Sequence, residues 1–188
     1  MGLFDLLKGY KGFKKDPNLL ILGLDNAGKT TILYNLTEEK ITQVIPTKGT
    51  NTKTIIKDEY KINLCDVGGQ KEIREFWPNF FNNCDGIIYV IDASDNTRID
   101  EANDELKLLI KEEKLSQLPL LIYANKIDLE NVLEADEIIS KLELKNVTDR
   151  DWLIYASSAL TGFGITEGFI WLMDKMSGKF HSKQSSLC

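Results

Sequence analysis

"GLDNAGKT", residues 23–30, follows the apolar run Leu19-Leu20-Ile21-Leu22 and opens a helical pattern over residues 29–37. A strand, a glycine-bearing loop and a helix start, in that order, make a phosphate cradle. Gly23 and Gly28 let successive backbone N–H groups turn inward, and the helix N-terminus adds partial positive charge. In such a loop Asp25, Asn26 and Ala27 line the path of the phosphates, Lys29 reaches the outer ones, Thr30 ligates Mg²⁺ and Thr31 follows it. A chance glycine-rich turn is the competing reading, and the placement between strand and helix argues against it.

Further apolar runs at residues 52–56, 60–66, 86–92, 119–124 and 152–157 join 19–24 as six predicted strands. Helical patterns fall at 29–37, 97–114, 134–142 and 165–177. This alternation predicts an α/β fold with a mostly parallel six-stranded sheet and helices on both faces. Only Lys57-Asp58-Glu59 separates the second strand from the third, so that pair is expected to form a hairpin and contribute one antiparallel edge strand.

At 188 residues, 43% hydrophobic and 28% charged, the chain fits one globular domain, and no apolar run is long enough to span a bilayer. A formal charge of −6 argues against nucleic acid as a partner, because a phosphate backbone needs a concentrated basic face. The exception is local: Lys8, Lys11, Lys14 and Lys15 stand against Asp5 alone in residues 1–15. Cys65, Cys84 and Cys188 form no disulfide framework, and with His181 the single histidine there is no metal-ligand cluster of Cys and His. A cytoplasmic setting is expected.

Triphosphate cradling does not read the base, and a second segment does. Asn125-Lys126-Ile127-Asp128 follows the strand Leu120-Leu121-Ile122-Tyr123-Ala124, at the strand end where open α/β sheets bind ligands. A carboxylate at Asp128 accepts two parallel hydrogen bonds from the N1–H and exocyclic amine of guanine, whereas adenine presents a lone pair at N1. Lys126 covers the base plane with its stem, and Asn125 ties this loop to the phosphate loop. Ser158-Ala159-Leu160 offers a backbone N–H to the guanine O6.

A third segment, Asp66-Val67-Gly68-Gly69-Gln70, senses the γ-phosphate. Asp66 is placed to hold Mg²⁺ through water, the Gly69 N–H to meet a γ-phosphate oxygen, and Gln70 to orient the attacking water as the catalytic residue. Thr47, in Ile45-Pro46-Thr47, supplies a second hydroxyl to the metal. Such loops are ordered by the γ-phosphate and act as switches. A phosphate-loop nucleotide kinase is the alternative enzyme, but it has no use for the Asn125–Asp128 segment.

With "GLDNAGKTT", "PTKGTN", "DVGGQ", "ANKIDL" and "SSALTGFG" in place, the chain resembles small GTPases of the ADP-ribosylation factor family from residue 1 to about 177. Within the family, "KEEKLSQLPLLIYANKIDL" and "SALTG" are similar to a branch that releases lipidated cargo from carrier proteins, notably for cilia. The resemblance implies a GTPase (G) domain over residues 17–178 that hydrolyses GTP to GDP and phosphate with Mg²⁺. It also implies a monomer served by an exchange factor, an activating protein that lends an arginine, and an effector or cargo carrier. It implies a second switch too, in which the hairpin of residues 52–66 slides in register and expels an N-terminal helix. A nucleotide-holding scaffold that hardly cycles is the alternative function.

Leu3, Phe4, Leu6, Leu7, Tyr10 and Phe13 recur at near-helical spacing, so residues 1–16 are expected to form an amphipathic helix and linker making weak, reversible membrane contact. Leu6 stands where myristoylation at Gly2 wants Ser or Thr, and Cys188 is last rather than fourth from the end, so neither lipid anchor is expected. Residues 179–188 read as a flexible tail. The family presents three aromatic residues to effectors, and the matching positions here hold Thr50, Cys65 and Phe80, which implies an altered effector set. Arg74 and Arg98 are assigned to the surface or to packing, leaving no arginine over the γ-phosphate and slow intrinsic hydrolysis.

Overall fold

A computed structural model of the chain describes residues 16–38, 47, 49–57 and 60–177. The expected amphipathic segment, the turn at residues 58–59, residues 45–46 and the tail lie outside the described residues. Six strands form one sheet: β1 (Asn18–Leu22), β2 (Thr50–Lys57), β3 (Tyr60–Val67), β4 (Gly86–Asp92), β5 (Leu120–Asn125) and β6 (Trp152–Ala156). Their order is β2-β3-β1-β4-β5-β6, with β2 antiparallel to β3 and the other neighbours parallel. The predicted edge hairpin is present, with Ile55 opposite Ile62.

Helices α1 (Lys29–Thr37), α2 (Lys71–Arg74), α3 (Ile99–Lys111), α4 (Ala135–Lys141) and α5 (Ile165–Met176) complete the layers, with 3₁₀ turns at Trp77–Asn83, Glu113–Leu115 and Leu144–Asn146. The central strands are continuous apolar runs because both of their faces are buried. Leu19, Ile21, Ile88, Val90, Leu121 and Tyr123 pack with Ile32, Leu33 and Leu36 of α1 and Phe169 and Leu172 of α5. Their strand neighbours Leu20, Leu22, Ile87, Tyr89, Leu120 and Ile122 point the other way, to Leu106 and Leu109 of α3, Ile138 of α4, and Trp77. The period of two thus divides one hydrophobic run between two cores.

Three elements differ from the sequence expectation by two residues or more at an end. β1 stops at Leu22 because Gly23 turns the chain at φ 138°, and a Cβ there would meet the Val90 carbonyl oxygen at 2.2 Å. β2 runs farther, from Thr50, because its backbone finds a partner in β3 although its side chains are polar. α3 is shorter than residues 97–114. Before it, Asp95 Oδ1 closes a turn by accepting from Thr97 Oγ1 at 2.7 Å and from Arg98 N–H at 3.2 Å. After it, the buried Arg150 guanidinium donates at 2.9 Å to the Ile110 carbonyl, which the ending helix leaves open, and at 3.0 Å to the Leu115 carbonyl of the 3₁₀ turn that follows. α2 and the 3₁₀ turns are too short to show a period in sequence.

Because β1, β3, β4, β5 and β6 run the same way, their carboxyl ends open on one edge of the sheet. The chain leaves them there as Gly23–Gly28, Gly68–Gln70, Asp92–Ser94, Lys126–Asp128 and Ser157–Leu160. The four segments singled out from sequence meet where this topology binds ligands.

Candidate functional site

A cleft of about 410 Å³ lies at that edge, within the size range of small-molecule sites. Asp25, Asn26, Gly28, Lys29, Thr30, Thr31, Thr47, Gly69, Gln70 and Lys126 line it. Gly28 is left-handed at φ 98° directly before α1, and a Cβ on it would strike Asn125 Nδ2 at 2.2 Å. Only a glycine lets the loop lie that close to the β5 end.

Lys29 is buried, and its Nζ donates to the Leu24 carbonyl at 2.7 Å across the loop. Burial depresses this ammonium to about 8, against the pull of Asp66 and then Asp25 toward the charged form. A cation held under strain of desolvation is ready for an anion.

Thr30 Oγ1 donates to Asp66 Oδ2 at 2.6 Å, Thr47 Oγ1 reaches the same oxygen at 3.4 Å, and the two hydroxyls are 3.1 Å apart. Asp66 is fully buried, and its second oxygen, Oδ1, has no hydrogen-bond partner. Burial pushes its carboxyl up, opposed by the Thr30 hydrogen bond and the Lys29 charge. Two hydroxyls on a buried carboxylate with a free oxygen form a hard, oxygen-only donor set of the kind Mg²⁺ takes.

Gly69 is pressed onto the phosphate loop. A Cβ on it would lie 2.3 Å from the Gly23 carbonyl oxygen and 2.4 Å from Asp25 N. Its carbonyl accepts from the Asp25 N–H at 3.1 Å and from Arg74 Nε at 2.7 Å. Gly68 is fixed on both sides: its N–H donates to the Gly49 carbonyl at 2.8 Å, and its carbonyl accepts from the buried Trp77 indole at 3.0 Å. Gln70 caps α2 and faces the cleft.

At the other end, Asn125 joins three segments. Its Nδ2 donates to the Ala27 carbonyl at 2.8 Å, and its Oδ1 accepts from the Ala159 N–H at 2.9 Å. The tie to the phosphate loop expected from sequence is present. Ser158 Oγ donates to the exposed carboxylate of Asp128 at 2.5 Å, and Leu160 stands 80% exposed beside it. Lys126 adopts a left-handed φ of 71°, and its Nζ lies 2.6 Å from Asp92 Oδ2.

Sequence reasoning gave four residues no part in the site. Asn35 of α1 donates to the Ala159 carbonyl at 2.7 Å, holding the Ser158–Leu160 loop, and Asp92 holds Lys126. A polar amide inside a helix is the only local signal for Asn35. Arg74 and Arg98, assigned from sequence to the surface or to packing, also hold the loops of the cleft. Arg74 is 7% exposed and grips Gly69 together with Glu101 and Glu105 of α3, at 2.8 and 3.0 Å. Arg98 is half-buried, and its guanidinium lies 2.7 Å from Asp25 Oδ1. Arg74 ends α2 and Arg98 precedes α3, and both reach the loops around the cleft; no short-range pattern links them to Glu105 and Asp25.

A model of the ADP-ribosylation factor family matches residues 3–176. ADP-ribosylation factor-like protein 3 of Chlamydomonas reinhardtii is 48% identical over 176 residues, covering 94% of this chain and 99% of that protein. ADP-ribosylation factor-like protein 2 of Dictyostelium discoideum is 44% identical, covering 92% and 94%. Among solved structures, the Arl6 BBS3 small GTPase from Trypanosoma brucei with bound nucleotide analogue GppNp is similar at a TM-score of 0.81 and 31% identity, covering 88% of this chain and all of that one. With Gly28–Thr31, Gly69–Gln70 and Lys126 lining one cleft at the strand ends, and by its likeness to these proteins, the chain belongs to the ADP-ribosylation factor family of small GTPases.

Proposed function

We propose that the protein is a regulatory switch that binds Mg·GTP, hydrolyses it slowly to GDP and phosphate, and couples that cycle to the binding of an effector or carrier of lipidated cargo. One observation carries this reading: hydroxyls from two separate segments, Thr30 and Thr47, converge on the buried Asp66 while Gln70 lines the same cleft. Thr30 and Thr47 would hold Mg²⁺, with Asp66 acting through water, and the ion supplies charge neutralisation at the outer phosphates. Lys29 and the loop amides bind the phosphates, Asp128 reads the guanine edge, and Lys126 covers its plane. Gln70 orients the water for in-line attack. Arg74 and Arg98 are both engaged with carboxylates, so the guanidinium that speeds related enzymes by about 10³–10⁵ is supplied by an activating protein.

The bond from Gly68 to Gly49 links the γ-phosphate sensor to the start of β2. Of residues 50–56 in β2, Ile55 alone is buried, so few contacts specify the register of that strand. A slide by two residues preserves which side chains face inward, and it is the movement by which this hairpin would displace an N-terminal helix toward a membrane surface. Cys65 and Thr52 line a concavity of about 270 Å³ beside Phe80 on this face; together with a threonine at position 50 it supports an effector set unlike that of aromatic-bearing relatives.

Single-turnover hydrolysis of GTP tests the reading. Wild-type protein alone should turn over on the order of 10⁻³ s⁻¹ or slower, and Gln70→Leu should lower the rate at least about tenfold while GTP still binds. The same small residues at Thr50 and Cys65 favour a second reading, a scaffold that holds nucleotide without cycling; hydrolysis insensitive to Gln70→Leu would select it.

A further inference from the structure

Asp25 puts a carboxylate on the wall of the cleft that receives the phosphates. Two residues after Gly23 in the phosphate loop, an anion opposes a polyanionic ligand, and a partly desolvated site weakens the screening that would soften the repulsion. The surrounding contacts resolve this conflict. Arg98 NH2 donates to Asp25 Oδ1 at 2.7 Å, and Arg98 NH1 approaches the Asp25 backbone carbonyl at 3.4 Å. One guanidinium thus holds both the side chain and the main chain of the same residue, on the α3 side of the loop.

Arg98 is itself fixed. Its Nε donates to Glu101 Oε2 at 2.8 Å, and its backbone N–H is held by Asp95. Arg74 stands farther from Asp25 Oδ1, at 3.7 Å, and its nitrogens already serve the Gly69 carbonyl, Glu101 and Glu105. The grip on Asp25 therefore belongs chiefly to Arg98. The pair spans 73 positions of sequence and joins the phosphate loop to the N-cap of α3.

We propose that Arg98 is a positioning residue for the third phosphate: it neutralises the Asp25 carboxylate and holds it out of the cleft, so that the loop accepts GTP as readily as GDP. This rests on the guanine-nucleotide reading above. Removing the guanidinium frees a negative side chain to turn toward the outermost phosphate, and the penalty falls on the triphosphate more than on the diphosphate.

The test is the ratio of GTP to GDP affinity, measured with Mg²⁺ on the full chain by competition with a fluorescent nucleotide. Arg98→Ala should lower the ratio about tenfold. Asp25→Asn should raise it a few-fold, since it removes the repulsion and leaves Arg98 facing the phosphates. The double variant should return to within about twofold of wild type. Arg98→Lys, which keeps the charge without the fork, should fall between. A residue that merely packs would weaken GTP and GDP equally, without rescue. Should Arg98→Ala fail to fold, Asp25→Asn and Arg98→Lys still decide: a ratio lowered by Asp25→Asn, or unmoved by both, overturns the proposal. Wild-type protein that binds neither nucleotide would instead overturn the functional reading itself.

Discussion

The phosphate-loop end and the β2–β3 edge are built on opposite terms. At the loop end, buried side chains fix the loops: Asn125 bridges Ala27 and Ala159, remote in sequence, while Arg74 holds Gly69 and Trp77 holds Gly68. At the edge, β2 has one neighbour strand, and its cross-strand side-chain bonds are exposed, Thr54 to Asn63 at 3.0 Å and Thr52 to Cys65 at 3.6 Å. Ile56 stands 71% exposed there. A cradle must be in place before its ligand arrives, and pre-formed hydrogen bonds achieve that. An element that moves must be held by little.

The contrast breaks first, and most visibly, at Asn125. Asn125→Ala leaves the Ala27 carbonyl and the Ala159 N–H without partners in a buried site, at about 1–3 kcal/mol for each unsatisfied group. Guanine-nucleotide affinity should fall on the order of 100-fold, read by isothermal titration. A loss below about threefold would mean the loops hold their places without the amide, and the loop end would be no firmer than the edge.

Acid sharpens the comparison with an intermediate effect. The Arg98 hydrogen bonds come first among the causes holding the Asp25 and Glu101 carboxyls below their ordinary values, 3.8 and 4.5. A depressed carboxyl contributes stability that is complete above its unfolded value and lost as pH falls through its folded one. The thermal midpoint should therefore drop below pH ~4.5, and Arg98→Ala should flatten that part of the profile. Identical profiles for the two proteins would remove the network from the account of loop stability.

The smallest effect is expected at the edge. Cys65→Trp adds a ring to the concavity beside Phe80 and should change nucleotide affinity by less than about twofold, while increasing retention of effectors that dock on aromatic residues in a pull-down. A loss of nucleotide binding as large as that of Asn125→Ala would erase the distinction between the two regions.

Legibility follows the same divide. The phosphate loop, the Asn125–Asp128 segment and the Asp66–Gln70 segment were readable because each chemistry occupies neighbouring residues at the end of an apolar run. The strands were readable for the same reason, although their division between two cores is set by pairing across the sheet. Arg74 and Arg98 were not readable. Two of their partners, Glu105 for Arg74 and Asp25 for Arg98, lie 31 and 73 residues away, and a lone arginine in sequence has no direction. The Thr50 end of β2 was missed because its side chains are polar and its backbone follows β3 instead.

The buried indole of Trp77 ends on the Gly68 carbonyl, inside the segment proposed to meet the γ-phosphate. A chromophore wired to that peptide makes the protein its own optical gauge. A shift of the loop alters the electric field and hydrogen bonding felt by the ring, so ultraviolet emission can follow each turnover without an attached dye. Trp152 and Trp171 are only partly buried and belong to β6 and α5, and they provide a steadier background against which that signal is read.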